Sequence, residues 1–85
     1  MPKTVFTGAH RRLVEILIAT RKKAGLTQTE LGERIGRDQS LISLIEGSQR
    51  RVDVLEFCEL AQAMNVDPID LLRKVLNAVA EHPER

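Results

Sequence analysis

Few side chains in this 85-residue sequence could do covalent chemistry. His10 and His82 lie near opposite ends, and Cys58 is the single cysteine. None of them falls in a nucleophile, metal-ligand or phosphate-loop pattern, so no enzymatic activity, no metal and no cofactor are expected. One cysteine cannot close an internal disulfide, which suits a reducing, cytoplasmic setting. Cys58 itself reads as a small core residue. What remains is recognition chemistry. Ser48, Gln49, Arg50 and Arg51 form a polar, basic run that can meet phosphate oxygens. The net charge is only +1, but residues 1–51 hold 10 Lys or Arg against 5 Asp or Glu, whereas residues 52–85 hold 3 against 7. A basic half fits a polyanionic partner, and an acidic half should face away from it.

The element that positions this chemistry is the stretch from Thr27 to Glu46, TQTELGERIGRDQSLISLIE. Thr27 with Glu30 three residues on is a capping-box pattern. Leu31 and Ile35 lie four apart, on one helical face. Gly36 stands where a left-handed helix end is needed. Asp38 then caps a second helix, with Ile42 and Ile45 as its inward stripe. Gly32 sits mid-helix at a cost of roughly 1 kcal/mol against Ala, which makes sense if the second helix crosses close above it. Two short helices joined by a tight turn describe a helix-turn-helix, whose second helix can enter the major groove of DNA.

The wider sequence from Leu17 to Leu72 resembles the Cro/C1-type (XRE-like) helix-turn-helix family. The resemblance rests on Arg21, the Gly25-Leu26-Thr27-Gln28 junction, Leu31, Gly36, the Gln39-Ser40 pair, Ile42, Ser43, Ile45, Glu46 and the basic Arg50-Arg51 pair. It implies an all-α, five-helix, lambda-repressor-like helix-turn-helix domain. That domain is placed at residues 8–81, after a flexible arm (residues 1–7) and before a frayed tail (residues 82–85). Arg37 stands where the family usually has a buried aliphatic residue. Leu41 and Leu44 occupy recognition-helix positions that are often polar, and Val52 replaces a common proline. These departures leave the base preference open.

The resemblance also implies roles. Gln39 opens the recognition helix, and its amide suits the N6/N7 edge of adenine. Ser40 and Ser43 would contact base edges or phosphates, and Leu44 a thymine methyl. Gln28 opens the preceding helix, where its backbone N–H can bind a phosphate and its side chain can brace the next helix. Arg37, Ser48, Gln49, Arg50 and Arg51 are the further phosphate candidates. Arg21 would pair with Glu46 and clamp the first helix onto the third, a structural role.

Around this centre, Thr7 can cap a first helix running to about Ala24. Leu13, Ile16, Leu17 and Thr20 face inward, and Val14 and Ile18 form a second strip, read as core. Asp53 and Glu56 start a fourth helix with Leu55, Cys58 (or Phe57), Leu60, Ala61 and Met64 at helical spacing. Asp67-Pro68 starts a fifth, whose apolar stripe is wider than one core face needs. Leu71, Val75 and Val79 are candidate dimer contacts, with a simple core helix as the alternative. With two Phe, no Tyr and no Trp, packing is aliphatic and there is no aromatic platform for single strands.

No apolar run approaches the roughly 20 residues of a membrane span. The expected partner is double-stranded DNA, bound by a homodimer on an inverted repeat with half-sites about 34 Å apart. No small-molecule ligand is expected. A repressor, a controller of restriction–modification genes or an antitoxin would all fit. The alternative is a helix-turn-helix-fold protein-interaction module, antitoxin-like, that uses Leu41 and Leu44 as its partner surface.

Overall fold

The computed structural model describes residues 8–81. The arm, the Thr7 cap, His82 and the tail lie outside the described residues. Five helices follow one another: α1 (Gly8–Lys23), α2 (Gln28–Arg34), α3 (Gln39–Glu46), α4 (Val54–Ala63) and α5 (Pro68–Glu81).

The helices start where local chemistry provides acceptors for their first, unpaired N–H groups. Thr27 and Glu30 form a reciprocal box: the Glu30 N–H donates to Thr27 Oγ1 at 3.0 Å, and the Thr27 N–H to Glu30 Oε1 at 2.9 Å. Asp53 and Glu56 repeat it at 2.7 and 3.1 Å. Asp38 accepts from the Ser40 N–H, and Asp67 from the Ile69 N–H. Gly36 has φ +70°, so the chain leaves α2 through the left-handed region that favours glycine. Gly47, which follows α3, has φ −86°. The left-handed residue there is Ser48, at φ 59°.

α2 and α3 pack on each other, α1 lies against α5 and α3, and α4 packs on α5 and α2. Leu17, Leu31, Ile42, Ile45, Leu60, Met64 and Leu71 meet in the centre, and none of the buried residues among those described is a Phe, Tyr or Trp.

Four expectations are corrected here. Leu41 is buried in the core at 7% exposure, so α3 gives three side chains to the interior rather than two. Leu55 faces outward on α4, where Glu56 instead is buried. Cys58 is half-buried, in the wall of a groove. Over Gly32 lies the turn backbone rather than the next helix: a Cβ there would stand 3.0 Å from the Arg37 carbonyl oxygen and 3.3 Å from Asp38.

Candidate nucleic-acid interface

Because Leu41, Ile42 and Ile45 point inward, α3 turns Gln39, Ser40, Ser43 and Leu44 outward, all exposed. These positions are spaced i, i+1, i+4 and i+5, one face of a helix.

A relay of hydrogen bonds holds that face. Arg21 grips Glu46 with two nitrogens, Nε to Oε2 at 2.7 Å and Nη2 to Oε1 at 3.0 Å, and its Nη1 donates to the Leu26 carbonyl at 2.8 Å. Gln28 Nε2 donates to Glu46 Oε1 at 2.9 Å, and Gln39 Nε2 donates to Gln28 Oε1 at 2.9 Å. α1, α2 and both ends of α3 are thereby tied together through side chains. A primary amide has two N–H donors and one carbonyl. With one N–H spent on Gln28, Gln39 keeps an N–H and its carbonyl, the pair that an adenine edge requires.

The flanks of α3 are less uniform than the sequence suggested. Gln49 and Arg51 are exposed and Ser48 is half-buried. Arg37 lies in the turn before α3, half-exposed, with Nη1 3.7 Å from Glu56 Oε2. Arg50 is turned inward. Its Nη1 and Nη2 donate to the two Glu56 oxygens at 2.8 and 2.7 Å, and Nη1 also reaches the Arg51 carbonyl. Those Arg50 bonds, helped by the Asp53 N–H and the charge of Arg37, hold the Glu56 carboxyl down to about 2 against the cost of its burial. Sequence reasoning took Glu56 for a helix cap and missed this second role. The only signal was a basic pair five and six residues before it. His10, at the start of α1, is buried. That burial and the charge of Arg51 lower its pKa.

The face built by α4 and α5 has a different character. Leu71 is only 2% exposed, so it is a core residue with almost no surface to offer a partner, in place of the dimer contact expected. Val75 and Val79 are half-buried. The outward apolar residues are Ile69, Leu72 and Leu76 on α5, with Val54 and Leu55 on α4. Between them runs an open, almost wholly apolar groove whose walls include Leu13, Val52, Phe57, Cys58 and Leu72.

A family model described as a helix-turn-helix domain matches residues 12–74. The chain belongs to the Cro/C1-type helix-turn-helix family. Among its relatives is an uncharacterised HTH-type transcriptional regulator, y4dJ, of Sinorhizobium fredii, 38% identical over 52 residues that make up 61% of this chain and 68% of the relative. An XRE-family-like protein from Pseudomonas syringae superposes with a TM-score of 0.79 at 38% identity, over 84% of this chain and 87% of that one. The restriction–modification controller protein C.AhdI from Aeromonas hydrophila superposes with a TM-score of 0.70 at 28% identity, over 75% and 97% of the two chains. As a member of this family the chain is a DNA-binding transcriptional regulator, a non-enzymatic class. Among the described residues no helix is long and apolar enough to cross a membrane, and no group of three His, Cys, Asp or Glu could hold a metal ion.

Proposed function

We propose that this helix-turn-helix protein is a sequence-specific regulator, a repressor or controller, that acts as a homodimer on an inverted-repeat operator in the cytoplasm. The observation that carries the reading is the braced polar face of α3. Gln39 is held at its N-terminus by Gln28, while Ser40, Ser43 and Leu44 stand exposed beside it. Gln39 reads adenine through its remaining N–H and carbonyl, the two serines contact base edges or phosphates, and Leu44 packs on a thymine methyl. The Gln28 backbone N–H, in the first turn of α2, together with Arg37, Ser48, Gln49 and Arg51, contacts phosphates and sets the register.

The dimer forms through the apolar face of α4 and α5. Ile69, Leu72 and Leu76 form its centre, Val54 and Leu55 extend it, and Val75 and Val79 lie at its inner edge. An exposed apolar stripe of this kind is a liability in a monomer and an asset in an interface. Likeness to C.AhdI supports a controller-type role. The burial of Leu41 removes half of the surface that a purely protein-binding module was expected to use.

Selection from a random pool of duplex DNA at low and moderate salt tests the reading. The expected product is an inverted repeat with half-sites about one helical turn apart. No enrichment at either salt would overturn sequence-specific DNA binding.

A further inference from the structure

Glu56 is the one buried acid among the described residues. Its position is unusual for a helix cap. Oε1 accepts from Arg50 Nη1 and from the Asp53 N–H, Oε2 accepts from Arg50 Nη2, and Arg37 Nη1 stands 3.7 Å away. Arg37 precedes the recognition helix and Arg50 follows it, so a single carboxylate on α4 receives cations from both ends of α3.

From this arrangement we infer that Glu56 is a positioning residue of the DNA interface, one that withholds Arg50 from the phosphate backbone, so that Arg37 and Arg51 serve it instead. Arg50 and Arg37 differ in what each would give up. Arg50 holds Glu56 with both terminal nitrogens, in the planar fork geometry that makes such pairs strong. Turning it to a phosphate would leave the Glu56 charge buried with only the Asp53 N–H and the more distant Arg37 to compensate it, a costly state. Arg37 makes one long contact, its side chain is 44% exposed, and Arg50 already neutralises Glu56. Arg37 can therefore meet a phosphate without stranding a charge. Of the adjacent Arg50-Arg51 pair, the exposed Arg51 is the phosphate cation.

The inference rests on α3 facing duplex DNA, and the test separates the two. Binding of the full chain to mixed-sequence duplex DNA is measured across a salt series, where the slope of log Kobs against log salt changes by about 0.9 for each phosphate that a cation newly neutralises or gives up. Arg51→Ala is expected to lower the slope by about 0.9 per protomer. Glu56→Gln keeps the shape and an acceptor for the Asp53 N–H but frees Arg50. It is expected to raise the slope by up to the same amount. The double variant E56Q/R50Q removes both charges and leaves no buried ion unpaired. It is expected to keep the wild-type slope. A merely structural Glu56 would change stability and leave the Glu56→Gln slope where it was, which overturns the inference. So does a double variant whose slope falls as it does in Arg51→Ala, since Arg50 would then be a phosphate contact. If Glu56→Gln does not fold, the double variant decides alone. A wild-type protein that binds no duplex DNA refutes the DNA reading itself.

Discussion

Replacing Arg21 by alanine should unfold this protein well before any other single change to a charged residue on α1. The Arg21 and Glu46 side chains are 11% and 9% exposed, so water and salt screen the pair little. Arg21 supplies two of the three side-chain hydrogen bonds to Glu46 and one to the Leu26 carbonyl. In the variant, Glu46 keeps only the Gln28 amide. Stranding one partner of a buried pair costs about 3–5 kcal/mol, a large part of the roughly 5–15 kcal/mol that holds a domain together. At about 4–8 °C per kcal/mol for a chain of this size, the melting temperature should fall by at least about 12 °C. Thermal unfolding followed by far-ultraviolet circular dichroism gives the temperature shift, and urea unfolding gives the free energy. The double variant R21M/E46Q should recover much of the loss, because no charge is then left stranded. An unfolding free energy for Arg21→Ala within about 0.5 kcal/mol of wild type, the range of ordinary surface changes, would refute the clamp. So would a double variant whose loss is the plain sum of the two single ones.

Gly32→Ala should cost about 1–3 kcal/mol by overpacking, less the roughly 1 kcal/mol that alanine gains over glycine within a helix, since the new Cβ would press on the Arg37 carbonyl, backbone that cannot step aside. Gly36→Ala, where the space is open but φ is +70°, should cost about 1–2 kcal/mol through backbone strain alone. Thermal unfolding measures both. Leu71→Ala should destabilise the fold by about 2–5 kcal/mol. Leu72→Glu, one residue on, should leave the fold intact and shift sedimentation towards monomer. The lowered pKa of His10 favours its neutral form when folded. Its contribution is therefore complete above the unfolded value of 6.5 and is lost as the pH falls below it, where the unfolded chain binds more protons. Urea midpoints should drop across that window in the wild type and drop less in His10→Gln. At lower pH the Glu56 contribution follows, disappearing between 4.5 and about 2.

The helix boundaries and the turn were legible in the sequence because their signals are local. A capping box spans four residues, and a left-handed glycine needs no tertiary contact to be read. The Arg21–Glu46 pair was legible only through family resemblance, since 25 residues separate its members. The faces of the helices were the hard part. α3 has eight residues, and apolar side chains at 41, 42, 44 and 45 fit more than one inward direction. Packing against α1 and α2 chooses the direction that buries Leu41. α5 carries two overlapping apolar stripes, 71-75-79 and 69-72-76, each with valid helical spacing. Only docking against α1 and α4 decides which becomes core. Glu56 was invisible as a buried charge because burial of an acid depends on partners brought from two other segments.

The lengthwise division of α3 has a consequence for how such a protein can change over generations. Leu41, Ile42 and Ile45 hold the fold, whereas Gln39, Ser40, Ser43 and Leu44 look outward, and the two sets share no member. Apart from Gln39, which the Gln28 amide also touches, the outward positions are free of packing duties. Drift at three codons could therefore move the protein to a new set of genes while its stability stays nearly constant. The specificity of the regulator is modular within a single two-turn helix.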